Sequence, residues 1–122
     1  MMKQLNILVV DDDQDGADGL ADALDLYGHN VTTVYSGEDA VDAFRQTLFD
    51  LTFMDVMMFG LNGVESLIEI RKTKSDAKVY MMTGYSAKEL LEEAMSNGAA
   101  GVFYKPIAIE KILDDIASIT VP

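Results

Sequence analysis

The chain has 122 residues, of which 49% are hydrophobic, and a formal net charge of −12 at pH 7; this length predicts one domain with its own core, spanning residues 1–122. The absence of cysteine and the single histidine exclude disulfides and both thiolate and histidine-cluster metal sites. Such acidity opposes direct nucleic-acid binding, and without a signal peptide or an apolar run of membrane length we expect a cytoplasmic protein that makes no membrane contact.

The first predicted element is a buried strand over residues 5–10, which ends abruptly at three consecutive aspartates, residues 11–13. A helix follows over about residues 15–27, with Leu24 and Tyr27 on its inner face. Gly28 is placed to end that helix. The pattern therefore predicts one strand–helix unit with carboxylates at the junction.

The second and third units follow the same plan. A strand over residues 31–35 leads to Ser36, a candidate N-cap of a helix that runs to about residue 47. The third strand, residues 51–54, is apolar throughout, as is typical of a strand buried on both faces, and it ends at Asp55. A turn region with Gly60 and Gly63 then opens a helix that ends in basic residues 71–74.

The last two units complete the series. A strand over residues 78–82 ends at Thr83, and a capping box at residues 86–89 starts a helix that buries Leu91 and Met95. A short strand over residues 100–104 ends at Lys105, and the final helix runs over about residues 109–119. Five alternating strands and helices predict a parallel sheet with right-handed crossovers.

Polar side chains cluster at the carboxyl ends of these strands, which share one edge in such a fold and form the usual ligand site. They are Asp11, Asp12, Asp55, Thr83 and Lys105. Three neighbouring carboxylates are costly to ionise together without a cation, and all-oxygen ligands suit Mg²⁺. Thr and Lys are natural partners of a phosphoryl group, and an aspartate can form an aspartyl phosphate. Each residue alone could be a simple cap or turn residue, but the whole set predicts a phosphoryl site.

With these residues in view, the sequence resembles the receiver domains of bacterial two-component response regulators over essentially its whole length. The matching segments are ILVVDDD, DVMMFGLNG, MMTG and GAAGVFYKP. The resemblance implies a flavodoxin-like (βα)5 fold, a doubly wound parallel sheet with strand order 2-1-3-4-5. It also implies a signalling domain that takes a phosphoryl group from a sensor histidine kinase or phosphotransfer protein and catalyses only its own phosphorylation and dephosphorylation.

By this resemblance, Asp55 is the phosphorylated residue. Asp12 and Asp11 are the acidic pair that binds Mg²⁺, and Asp55 and the backbone carbonyl of Met57 complete the protein's share of the metal ligands. Thr83 and Lys105 contact the phosphoryl group.

Met57 and Gly84 also lie against the phosphoryl group by resemblance, since Gly84 takes a position where the family uses a small residue. The Lys105–Pro106 bond is expected to be cis.

Three positions depart from the family's usual residues. Phe59 stands where the family usually has proline, and Val102 stands where it has an aromatic switch residue, so we expect switching without an aromatic flip at 102. Met57 and Tyr85 form an apolar rim, which either shields an acyl phosphate from water or simply packs. The switch candidates are Thr83, Tyr85, Val102 and Tyr104.

The resemblance places the switching surface on the fourth helix, fifth strand and fifth helix, leaves the downstream target or output domain unknown, and allows a phosphorylation-dependent homodimer. Two other functions are alternatives. One is a Mg²⁺-dependent phosphatase of the haloacid dehalogenase type with an aspartate nucleophile; Met57 argues against it, because such enzymes carry an acid/base aspartate there. The other is a phosphate-independent interaction domain, which the complete set of site residues argues against.

Overall fold

The computed structural model describes residues 4–84 and 87–120, in which strands and helices alternate along the chain. The elements are β1 (Asn6–Val10), α1 (Gln14–Leu26), β2 (Asn30–Val34), α2 (Gly37–Gln46), β3 (Leu51–Asp55), α3 (Gly63–Thr73), β4 (Val79–Thr83), α4 (Lys88–Ser96), β5 (Gly101–Tyr104) and α5 (Ile109–Thr120). Their bounds lie within one or two residues of most of those predicted from the sequence.

The five strands form one parallel sheet in the order β2-β1-β3-β4-β5. Val10 at the end of β1 pairs with Val34 of β2 on one side and with Met54 of β3 on the other. On the far side, Thr83 of β4 pairs with Tyr104 of β5. The predicted flavodoxin-like fold class is confirmed, and its strand order places β1 and β3 together near the centre of the sheet.

Each face of the sheet carries its own core, because successive strand residues point to opposite faces. Leu8 and Val10 of β1 belong to the cluster that includes residues of α2, α3 and α4, whereas Ile7 and Val9 belong to the cluster with α1 and α5. All five residues of β3 are buried. This two-sided burial explains why β3 is apolar apart from Thr52 until it reaches Asp55.

Helix ends follow from local chemistry. The Asn62 side chain accepts from the Glu65 amide at 2.9 Å, and the Glu65 carboxylate accepts from the Asn62 amide at 3.0 Å, which makes a full capping box for α3. Ser36 caps α2 as predicted, accepting from the Asp39 amide. In contrast, α4 begins after Ala87, and Ser86 of the predicted capping box lies outside the described residues.

The predictions that Tyr27 and Met95 lie in the core are wrong. Tyr27 is 55% exposed, because α1 ends at Leu26 and Tyr27 is already the C-cap that leads into Gly28, whose φ of +89° turns the chain. Met95 of α4 is 47% exposed and lines a surface groove. As for the membrane, none of the helices within the described ranges is long and apolar enough to cross one.

Candidate functional site

The carboxyl ends of four strands meet at one pocket of about 560 Å³. Adjacent strands β1, β3, β4 and β5 lead into it, so residues far apart in sequence become neighbours. It is lined by the predicted residues Asp11, Asp12, Asp55, Met57, Thr83, Gly84 and Lys105, together with Asp13 and Pro106. Strand order therefore assembles the predicted set, apart from the switch candidates Val102, Tyr104 and Tyr85.

Lys105 joins the two buried carboxylates of this pocket. Its Nζ lies 2.7 Å from Asp11 Oδ2 and 2.9 Å from Asp55 Oδ2. Asp11 is 2% exposed and Asp55 is 9% exposed. Charges this deeply buried are costly without a partner, so Lys105 offsets part of the cost of holding both aspartates at the sheet edge.

The electrostatic balance of the cluster shows in two pKa values. Burial raises the pKa of Asp11, and the hydrogen bond from Lys105 only partly opposes this effect. Burial lowers the pKa of Lys105, but its hydrogen bonds to Asp11 and Asp55 outweigh burial, so the pKa is raised overall. The ammonium therefore remains charged, and one cation serves a pocket with three carboxylates.

Backbone amides orient each carboxylate. The Asp13 amide donates to Asp11 Oδ1 at 3.0 Å, and the Met57 amide donates to Asp55 Oδ1 at 3.0 Å. The Phe59 amide donates to Asp12 Oδ2 at 3.3 Å. Sequence reasoning did not find the contributions of Asp13 and Phe59, because any residue except proline supplies an amide and side-chain identity carries no signal for it.

Two glycines shape the surroundings of Asp55 differently. A Cβ on Gly63 would stand 2.7 Å from both the Asp55 carbonyl oxygen and the Val56 Cα, so only glycine allows α3 to start this close to β3. A Cβ on Gly84 would meet Lys105 side-chain atoms at 3.8–3.9 Å, an ordinary contact. The neighbouring atoms thus require Gly63, whereas Gly84 chiefly leaves space in the pocket.

The donor set fits a divalent cation. Asp11, Asp12 and Asp55 each offer a carboxylate oxygen, and these three atoms lie within 4.8 Å of one another. Asp12 is exposed and the other two are buried, so the site opens to solvent on the Asp12 side. Oxygen-only ligands with access for water are the preference of Mg²⁺, which keeps several waters when bound.

A second groove, of about 870 Å³, adjoins the pocket between α4 and β5. Thr83, Gly84 and Lys105 line both spaces, while Val102 and Tyr104 line only the groove. Val102 is half-buried and Tyr104 is 65% exposed.

The Lys105–Pro106 bond at this edge is cis, as the resemblance implies. The remaining switch candidate, Tyr85, lies outside the described residues.

Comparison with known proteins agrees with this architecture. The chain matches the model of the response regulator receiver domain family over residues 7–117. It is 34% identical over 113 residues to the transcriptional regulatory protein ZraR of Salmonella typhimurium, an alignment that covers 93% of this chain and 26% of that protein. The chain therefore spans about a quarter of the length of the first curated relatives it matches.

Solved structures show the same fold. The receiver domain of NtrX from Brucella abortus superposes with a TM-score of 0.84 at 30% identity, covering 92% of this chain and 95% of that one. A receiver domain protein from Methanospirillum hungatei gives a TM-score of 0.90 at 24% identity, covering 97% and 94%. With the family match over residues 7–117, these likenesses show that the chain belongs to the response regulator receiver domains, the phosphoacceptor modules of two-component signalling.

Proposed function

We propose that Asp55 is the phosphoacceptor. A carboxylate oxygen of Asp55 attacks the phosphorus of a phosphohistidine on the partner; the new P–O bond forms as the P–N bond breaks, and the imidazole leaves with the electron pair of the broken bond. The observation that carries this proposal is the 2.9 Å contact between Asp55 and Lys105 inside a pocket that Thr83 also lines. This arrangement supports the proposal, because a carboxylate, an ammonium and a threonine side chain line one pocket.

The other pocket residues bind and orient the phosphoryl group. The Lys105 ammonium, now shared between Asp11 and Asp55, is placed to pair with a phosphoryl oxygen once Asp55 is modified. Thr83, which is 1% exposed at the end of β4, lines the same pocket and would supply its hydroxyl to the phosphoryl group. Gly84 leaves the phosphoryl oxygens room beside Lys105.

Asp11, Asp12 and Asp55, with the backbone carbonyl of Met57, would hold Mg²⁺. When bound, the cation would neutralise charge on the carboxylates and the transferring phosphoryl oxygens. The N–H of Met57 already donates to Asp55 Oδ1, so the backbone of residue 57 lies beside the nucleophile. Asp11 and Asp12 bind and orient, and Asp55 alone reacts.

Phosphorylation would reach the surface through residues shared by two cavities. Because Thr83 and Lys105 line both the pocket and the groove between α4 and β5, a shift of either toward a phosphoryl group changes the groove. Val102 has no aromatic ring and cannot act as an aromatic switch residue, so the conformational response to phosphorylation would involve Thr83 and the exposed Tyr104. The groove is where we place the contact with a downstream target or with a second copy of the chain.

The partner that supplies the phosphoryl group is a histidine kinase or a phosphotransfer protein. Residues 1–122 would act as one receiver domain; its target and its cytoplasmic location stay predictions. Several relatives are named transcriptional regulatory proteins, so they give no support to the expectation of no direct nucleic-acid contact. The net charge of −12 opposes nucleic-acid binding by residues 1–122 themselves. This domain would therefore act on a DNA-binding output domain only through protein contact.

The experiment is phosphorylation by a small acyl-phosphate donor with Mg²⁺, followed by mass spectrometry of the intact protein. We expect one added phosphoryl group on the native chain and none on Asp55→Asn. Asp50→Asn is the matched control, since Asp50 is an exposed aspartate just before β3 that contacts the Asn6 amide, and it should be modified like the native chain. An adduct that persists in Asp55→Asn would refute the assignment, and sustained hydrolysis of phosphate esters would favour a phosphatase.

A further inference from the structure

A hydrogen bond from a backbone amide to a side-chain carboxylate links the two loops that flank the site. The Phe59 amide, in the loop after β3, donates to Asp12 Oδ2, in the loop after β1, at 3.3 Å across 47 residues of sequence. The Phe59 ring is 91% exposed. The contribution of Phe59 to the pocket is therefore its amide and not its ring.

The loop that carries this amide turns at Gly60. Gly60 has a φ of +72°, a conformation that glycine adopts readily. The Glu38 carboxylate of α2 lies against it, with Oε2 2.5 Å from the place a Cβ would occupy. The Phe59 amide therefore lies directly before a glycine turn that packs close to the start of α2.

Asp12 depends on this amide more than the other two carboxylates depend on theirs. Asp11 and Asp55 are buried and each is held by Lys105 as well as by a loop amide. Asp12 is exposed, and a free aspartate side chain on a surface samples several rotamers. The Phe59 amide therefore selects the rotamer that keeps the Asp12 carboxylate beside Asp11 and Asp55.

We propose that the Phe59 backbone N–H is a positioning group for the metal site, which holds Asp12 in place for a divalent cation and ties the loop after β3 to the occupancy of that site. This inference rests on the proposed function, because it assumes that the three carboxylates bind Mg²⁺. Proline could not fill the role, because it has no backbone N–H. The sequence departs from the family's usual proline here, and the change adds a donor.

Two variants of one residue separate the amide from the ring. Phe59→Pro removes the N–H, and Phe59→Ala keeps it while removing the aromatic ring. Isothermal titration with Mg²⁺ on unphosphorylated protein should give a dissociation constant within twofold of native for Phe59→Ala. For Phe59→Pro we expect a dissociation constant about three- to tenfold higher. This loss of affinity is at or below the one usually seen when a hydrogen-bond partner of a metal ligand is removed, because this bond is solvent-exposed. Equal affinity in all three proteins, or equal weakening in both variants, would overturn the proposal.

A second measurement does not need the proline variant to fold or Mg²⁺ to bind. In metal-free protein, the Phe59 amide proton should move upfield in the ¹H–¹⁵N spectrum of Asp12→Ala, because it loses its acceptor. Asp12→Asn, which keeps a carbonyl acceptor, should shift it less. An amide proton that does not respond to Asp12→Ala refutes the positioning role. If native protein shows no Mg²⁺ binding while the amide responds, the metal site fails and the Phe59–Asp12 contact stands.

Discussion

Replacing Asp12 by asparagine in metal-free protein should raise the melting temperature. Asp12 is the exposed member of the three-carboxylate cluster, and Lys105 is engaged with Asp11 and Asp55. The substitution removes a repelling charge without breaking either ion pair of Lys105. An asparagine carbonyl can still accept from the Phe59 amide, so the loop contact is retained.

The magnitude follows from the charges that Asp12 faces. Two carboxylates and one ammonium leave a net charge of about −1 opposite it, with the ligand oxygens within 4.8 Å. In a water-like dielectric, appropriate to an exposed group, this repulsion is about 0.9 kcal/mol. For a domain of this size it corresponds to roughly 3–5 °C in melting temperature. Asp55→Asn should gain less, because it also removes one of the two partners of Lys105.

We expect Mg²⁺ to reverse the order of the melting temperatures of native protein and Asp12→Asn. If the proposed site is correct, the cation should bind the assembled cluster and not the unfolded chain, so at tenfold above its dissociation constant it should stabilise native protein by about 1.4 kcal/mol. Asp12→Asn lacks one ligand and should gain much less. The assay is a set of thermal melts of native, Asp12→Asn and Asp55→Asn protein, in EDTA and in Mg²⁺ at matched ionic strength.

Two results would refute this reasoning. If Asp12→Asn melts at or below the native temperature in EDTA, repulsion within the cluster is not a cost that the folded state carries. If native protein gains nothing from Mg²⁺ beyond the effect of ionic strength, the three carboxylates do not form one metal site.

Three further outcomes are expected. Burial lowers the pKa of His29, whose Nδ1 accepts from the Leu5 amide, so the unfolded chain takes up the proton first as the pH falls. Urea titrations should therefore show that the free energy of unfolding decreases once the pH drops below about 6.5, by at most about 1.4 kcal/mol per pH unit. The decrease should be smaller in His29→Asn. Gly63→Ala should lose about 1–3 kcal/mol of unfolding free energy in the same titrations, because its Cβ meets the backbone of β3. With beryllofluoride and Mg²⁺, NMR signals of Thr83 and Tyr104 should shift while Val102 keeps its rotamer; unchanged Thr83 and Tyr104 signals would contradict the proposed readout.

Much of this molecule can be predicted from local pattern. The run before Asp55, which is apolar apart from Thr52, indicates a strand buried on both faces, and β3 is buried throughout. The alternation of such runs with amphipathic segments predicted five strand–helix units, and right-handed crossovers then bring the strand ends to one edge. For this reason the sequence alone groups Asp11, Asp55, Thr83 and Lys105, which line one pocket in the structure.

Tertiary structure decided what depends on atoms distant in sequence. Tyr27 fits the inner face of α1 by periodicity, but the helix ends one residue earlier and exposes it. Lys105 bridges two of the three aspartates, and the Phe59 amide donates to the third. Both contacts depend on loop conformation at the scale of a hydrogen bond. Residue type in a sequence reports side-chain chemistry and periodicity, whereas every residue except proline carries the same backbone donor. Only the folded arrangement of the loops determines which carboxylate each donor reaches.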